Sequence, residues 1–319
     1  MTTLTIFSPS GAVKQAAALR RAVKHLQGLG VEAALDDAAL LREQRFAGSD
    51  EQRLDALHRV ARSGVAVALA ARGGYGMTRL LDRLDWKLIA KAVAGGQQWV
   101  GQSDLTALQL GLLAHAQGCG PTWAGPLAAA DFGVTAADGG VDDITEACFV
   151  EAVQGQLEAI GFREAGLARG SQPHDGLECE GLLWGGNLSM VCSLLGTPHF
   201  PAIQGGLLFL EETGEHPYRV ERMLLQLQQA GVLDAQRAVL IGEVDAWKPA
   251  PHDRGYGLKA ALAAVQSRTR TPILQGLPHG HGRTKVCLPV GVDAQLVVDG
   301  REVMLAWGHL DVACRGHRH

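Results

Sequence analysis

The sequence predicts an α/β protein, with a parallel, doubly wound sheet in its first half and a β-rich second half. Two observations predict this. Up to about residue 117, short apolar runs alternate with segments of helical period. Beyond about residue 180, apolar runs come closer together and two helical segments interrupt them. With 319 residues, 47% hydrophobic and 19% charged, the chain can fill one large core or two ordinary ones.

Leu4 to Phe7 is a short strand that ends in the loop Ser8-Pro9-Ser10-Gly11. Helical period follows from Val13 to Leu29, and Gly30 stops it. Val31 to Leu35 reads as a strand and Asp50 to Ser63 as a helix, with Ser49 or Asp50 as its cap. Val65 to Ala71 is the clearest buried strand, and a helix is expected to begin near Met77. Trp99-Val100 is a strand, with a strong helix from Leu105 to Gln117. Around Glu158 to Glu180 the pattern is weak and polar. This reads as a connection at 156–178 between a first domain, 1–155, and a second, 179–314. In the second, Gly206 to Leu210, Ala238 to Ile241, Lys285 to Leu288 and Ala294 to Val298 are β-like, while Arg219 to Ala230 and Tyr256 to Ser267 are helical. The tail Cys314 to His319 reads as mobile.

Composition narrows the function. A net charge of -4 and a pI near 6.3 give no footprint for nucleic acid and no reason to expect an anionic membrane surface. The N-terminus lacks the pattern of a secretory signal, and no apolar run reaches the length of a membrane span. The six cysteines contain no C-x-x-C pair, so they read as free thiols in a reducing compartment, the cytoplasm, and not as a zinc site.

Five segments could carry chemistry. In Gly101-Gln102-Ser103-Asp104 a strand meets a helix with a Ser at the corner. Such a turn lifts a hydroxyl above the sheet edge, where the first helical N–H groups, Asp104's among them, can face a developing oxyanion. Considered alone, Ser103 reads more simply as an ordinary helix cap. Arg72-Gly73-Gly74-Tyr75-Gly76 lets backbone approach a ligand, or it is simply a tight turn. Its spacing matches no nucleotide motif. A strand ends at Glu211-Glu212, where a carboxylate can orient a His or sit solvated at a turn. His279 and His281 lie in a Gly-rich loop, as a base, as a metal ligand lacking further partners in sequence, or as incidental residues. Trp184-Gly185-Gly186-Asn187 faces a ligand or starts a helix.

In combination and order these segments resemble the LD-carboxypeptidase family. The set is Arg72 to Gly76, Gly101 to Ala107, Gly185 to Leu188, Leu210-Glu211 with Glu215 to Arg219, and Gly280-His281. Ser8-Pro9-Ser10 and Arg45-Phe46-Ala47-Gly48 extend the likeness over nearly the whole chain. The resemblance implies a flavodoxin-like parallel-sheet domain followed by a smaller β-rich (swivelling β/β/α-like) domain. It implies a Ser-Glu-His triad of Ser103, Glu211 and His281, in preference to Glu212 and His279. It further implies a murein tetrapeptide as substrate, cleaved before its terminal D-Ala, with no metal or organic cofactor and a homodimer as the assembly. The N–H groups of Gly74 and Asp104 are the expected oxyanion donors. Arg72 and Arg283 are candidates for the substrate carboxylate, and Trp184 for a platform under a nucleotide base. Gln102, Glu212 and Pro278-His279 depart from the family pattern and bear on the pocket walls. Alternatives are a microcin-immunity-like peptidase acting on a nucleotide-linked amide and a non-catalytic muropeptide-binding module. A nucleotide-dependent oxidoreductase is disfavoured by the glycine spacing.

Overall fold

The structure is a computed structural model that describes residues 2–165 and 174–310. The Gly170–Pro173 stretch of the expected connection and the Cys314–His319 tail lie outside them. Among the described residues the strands form two sheets.

The first sheet contains β1 (Thr3–Phe7), β2 (Glu32–Leu35), β3 (Val67–Ala70), β4 (Gln98–Gly101) and β5 (Thr122–Ala124). They run parallel in the order β5-β4-β3-β1-β2, the flavodoxin-like order. Every residue of β3 and β4 is buried, as their apolar runs require. The helices of this half are α1 (Ala16–Gly28), α2 (Asp50–Ser63), α3 (Trp86–Ala94), α4 (Thr106–Ala116) and α5 (Asp143–Val153).

Ser49 caps α2 in a reciprocal box. Its hydroxyl accepts from the Gln52 N–H, and the Gln52 side chain accepts from the Ser49 N–H. Helix α1 starts later than its period suggests, and the carbonyls just before it, those of Ala12 and Val13, accept from the Arg72 and Arg42 guanidinium groups instead. The helix expected near Met77 is two short 3₁₀ turns, Met77–Arg79 and Leu81–Arg83, before α3 begins. Local contacts fix that segment: the Asp104 carboxylate accepts the Met77 N–H at 2.8 Å, and the buried Arg53 guanidinium donates to Pro9 O and Gly76 O.

The second sheet is mixed. Strands β7 (Glu178–Asn187), β8 (Leu207–Thr213), β9 (Ala238–Asp245) and β10 (Ile273–Gln275) are parallel. Strands β12 (Val292–Asp299), β13 (Glu302–Ala306) and β6 (Ala159–Arg163) continue it antiparallel beyond β7. Helices α6 (Leu188–Leu194), α7 (Pro217–Gln229) and α8 (Leu258–Gln266) follow β7, β8 and β9. The C-terminal part is thus β-rich, with a parallel α/β portion inside its seven-stranded sheet.

Two strands sit where sequence alone does not put them. Strand β6 falls in the stretch read as a connection. Its alternate residues are exposed, which makes that stretch look polar, but β13 pairs with it along its whole length. Strand β11 (Leu288–Val290) comes from the second half of the chain and pairs antiparallel with β5 at the edge of the first sheet.

Candidate active site

In a parallel sheet of this order, ligands bind outside the carboxyl ends of the strands. Three loops leave that edge of the first sheet: Ser8 to Gly11 after β1, Arg72 to Gly76 after β3, and Gln102-Ser103 after β4. Ser103 has φ = 63°, in the left-handed region. A side chain there is strained, and such strain concentrates at functional turns. The 3₁₀ turn Ser103–Leu105 then leads into α4, so the Asp104 N–H lies at a helix start. Asp104's side chain anchors the turn through Met77, and burial pushes its carboxyl above the ordinary value.

The glycine packed against Ser103 is Gly73. A methyl group there would lie 2.6 Å from both Ser103 Cβ and Oγ and 3.5 Å from the Asp104 nitrogen. Only a residue without a side chain lets the loop pass so close to the hydroxyl. Gly74, with φ = 105°, turns the loop toward Gly11 and the Arg72 guanidinium.

The second sheet presents its own strand ends. Glu211 lies on β8 opposite Asn187, the last residue of β7. A register shift between Leu210 and Glu212 interrupts the β8–β9 pairing at that point. A bulge of this kind re-aims a side chain. Glu211 is 1% exposed, and its Oε2 meets His281 Nδ1 at 2.7 Å. Burial works against a charged imidazole, but the hydrogen bond and charge of Glu211 outweigh it. The pKa of His281 stands above the ordinary histidine value.

The neighbours of this pair take other roles. Glu212 accepts from the Ser189 N–H at 2.8 Å, the Ser189 hydroxyl at 2.6 Å and the Thr213 N–H at 3.0 Å, so it pins the start of α6. His279 is fully buried, stacks edge-on against Phe209 and donates from Nδ1 to Val286 O at 3.0 Å. Burial lowers its pKa and keeps it neutral.

The two strand edges meet. The Asn187 N–H donates to Thr106 Oγ1 at 3.1 Å, three residues beyond Ser103. The buried pair Lys285–Asp131 and the Thr284–Asp142 hydrogen bond hold the end of the histidine loop against the first half of the chain.

Two expectations are corrected. Trp184 is 0% exposed inside β7, donates to Gln236 Oε1 at 3.0 Å and packs edge-on against Phe200. It is a core residue with no ring face left for a ligand. The Arg283 side chain is taken up by partners in the first half of the chain. Its guanidinium donates to Gly139 O and lies 3.7 Å from Asp142, which makes it a loop tether. Arg72 is half-buried, donates to Ala12 O at 3.0 Å and lines a cavity beside Gly74.

One residue went unnoticed in the sequence. Glu243, on β9, accepts the Gly282 N–H through its carboxylate, and its own N–H donates to His279 O at 2.8 Å. It grips the loop on both sides of His281. Among the described residues, no group of three His, Cys, Asp or Glu side chains could hold a metal ion. No helix among them is long and apolar enough to cross a membrane.

Comparisons with known proteins bear on this arrangement. The family model of the LD-carboxypeptidase N-terminal domain matches residues 4–123, and that of the C-terminal domain matches residues 180–296. A protein named probable murein peptide carboxypeptidase, from Bacillus subtilis, is 30% identical over 279 residues, covering 87% of this chain and 83% of its own. A muramoyltetrapeptide carboxypeptidase from Oxalobacter formigenes has a solved structure that superposes with a TM-score of 0.84 at 36% identity. The match covers 96% of this chain and 99% of that one. The microcin C7 self-immunity protein MccF, solved with aspartyl sulfamoyl adenosine, shares the fold with a TM-score of 0.83 at 22% identity, covering 97% of each chain. On this likeness, carried over nearly its full length, the chain belongs to the LD-carboxypeptidase family of serine-type peptidases.

Proposed function

We propose that the chain releases the terminal D-Ala from murein tetrapeptides, with Ser103 as nucleophile, His281 as general base and Glu211 as its orienting carboxylate. The observation that carries this reading is the buried Glu211 carboxylate bonded to His281 Nδ1. That bond leaves Nε2 as the ring nitrogen available to a hydroxyl.

In the proposed reaction His281 Nε2 takes the Ser103 proton as Oγ attacks the scissile carbonyl. Glu211 stabilises the imidazolium, and the N–H groups of Asp104 and Gly74 receive the oxyanion. His281 then protonates the departing amine of D-Ala. Water, activated by the same imidazole, hydrolyses the acyl-enzyme and frees the shortened peptide. In this reading the nucleophile comes from the domain at 1–155 and its partners from the domain at 179–314. The relatives named for murein substrates support the substrate class. A nucleotide-linked amide has less support, since the aromatic side chain expected as its platform, Trp184, is buried in the core. We also propose a cytoplasmic homodimer, in keeping with the family and with the five free cysteines among the described residues.

The Ser103→Ala protein should fold with an unchanged circular dichroism spectrum and release no D-Ala detectable by mass spectrometry. Retained turnover in a pure preparation rules the mechanism out.

A further inference from the structure

Two cysteines from opposite halves of the chain meet. Cys148 lies on α5, and Cys287 directly precedes β11, six residues after His281. The Cys287 N–H donates to Cys148 Sγ at 3.4 Å. With about 1.46 Å from N to Cα, that contact holds Cys148 Sγ within roughly 4.9 Å of the Cys287 Cα. A disulfide usually spans about 4.4–6.8 Å between Cα atoms, so the backbones need no large shift to accept one. The surroundings hold the two elements in place. Thr145, on the turn of α5 before Cys148, accepts the Lys285 N–H at 2.9 Å. Cys287 is 0% exposed, and its sulfur would lie 3.0 Å from a methyl group on Gly125, so the glycine after β5 leaves it room.

The pair is chemically unequal. Cys148 receives hydrogen bonds from the Cys287 thiol and from the Cys287 N–H, and these favour its thiolate over the thiol, against burial. Its pKa lies below the ordinary thiol value. The same thiol contact, and then burial, push Cys287 well above that value. Burial also raises Cys119 and Cys179, and it pushes Cys192 up to about 12. Those three are more exposed than Cys148 but poorer in thiolate, which is the form an oxidant attacks. Cys148 keeps 7% of its surface open to water. Neither Cys148 nor Cys287 takes part in the proposed catalysis.

We infer that Cys148 and Cys287 form a reversible disulfide on exposure to a hydroperoxide, and that this bond locks the strand after the histidine loop onto α5. The Cys148 thiolate attacks one oxygen of the peroxide. The O–O bond breaks, Cys148 becomes a sulfenic acid, and the departing hydroxide takes up the proton that Cys148 released. The Cys287 sulfur then attacks the Cys148 sulfur. The S–O bond breaks, and the hydroxyl leaves with the Cys287 proton as a second water. The two sulfurs together give two electrons to the peroxide, and a dithiol returns them. Reversible disulfides of this kind are the sort that a reducing compartment permits.

The test exposes the folded, reduced full chain to a series of hydrogen peroxide doses, blocks the remaining thiols with N-ethylmaleimide in urea, and digests without reductant. Mass spectrometry should find the Cys148 and Cys287 peptides joined, two hydrogens lighter than their sum, and parted again by dithiothreitol. In Cys287→Ser the Cys148 sulfenic acid lacks its partner and should be captured by dimedone. In Cys148→Ser the Cys287 thiol should stay free. Urea unfolding measures the lock. The linked wild type should unfold at a higher midpoint than the reduced protein, because the bond closes a loop between residues 139 positions apart. Both thiols still blocked by N-ethylmaleimide at the dose that oxidises Cys119 overturn the inference. So does either cysteine joined to a different one, and an unchanged midpoint in the linked protein removes the lock.

Discussion

Glu211 and Glu212 are adjacent buried acids with different duties. Glu212 spends its oxygens on the backbone and hydroxyl around Ser189, whereas Glu211 gives one oxygen to His281 and leaves the other without a hydrogen-bond partner. The charge of Glu211 holds His281 above the ordinary histidine value, against burial that pulls it down. In the proposed mechanism acylation needs the neutral imidazole, so kcat/KM should rise with pH through a limb above about 6.5. In Glu211→Gln the charge goes and burial remains. The limb should then move to lower pH, while kcat falls on the order of 10³–10⁴-fold because the imidazole loses its orientation. A pH profile of both proteins checks this, and an unmoved limb argues against the pairing. Ser103 offers a second residue-scale test. Its φ of 63° costs a side chain roughly 1–3 kcal/mol, which glycine avoids. Ser103→Gly should therefore melt a few degrees above Ser103→Ala, and equal melting temperatures contradict the strain.

At the scale of elements, the histidine loop depends on β9. Glu243 ties both sides of His281, so Glu243→Ala should lower kcat by roughly 10–100-fold, the equivalent of a lost charge-assisted hydrogen bond. The acid limb should stay in place, because Glu243 positions the loop and does not set the imidazole's charge. A shifted limb with intact kcat would assign it the opposite role. Much of this scale was legible in the sequence. The capped helix α2, the buried strand β3 and the Ser at the end of β4 follow from period, turn chemistry and capping. Glu243 carried a readable signal, a carboxylate ending an apolar run, as Glu211 does. Trp184 did not declare itself, because a glycine pair beside an aromatic reads alike in a core strand and at a ligand wall. Strand β6 was masked by alternation that leaves every second side chain in water.

For the whole molecule, the contacts joining the two halves are the part a sequence hides. Lys285 and Asp131 are 154 residues apart and form a buried ion pair. Lys285→Met should destabilise the protein by about 3–5 kcal/mol, since it strands a carboxylate in the core, and Lys285→Met with Asp131→Leu should recover most of that loss. Urea unfolding measures both, and a single variant as stable as wild type would show that the pair contributes nothing. The resemblance could name Ser103, Glu211 and His281. It could not show that their loops are fastened by Asn187 to Thr106, Thr284 to Asp142 and Lys285 to Asp131.

Strand β11 carries a consequence for synthesis. Its partner β5 leaves the ribosome about 165 residues earlier, so the edge of the first sheet waits roughly 8–33 s at about 5–20 residues per second for its last strand. His281 arrives only seven residues before Leu288. The histidine and the strand that closes the sheet therefore emerge together. In the proposed mechanism, a nascent chain that has not reached His281 carries Ser103 without its base, and a fragment ending before Leu288 leaves β5 with an open edge.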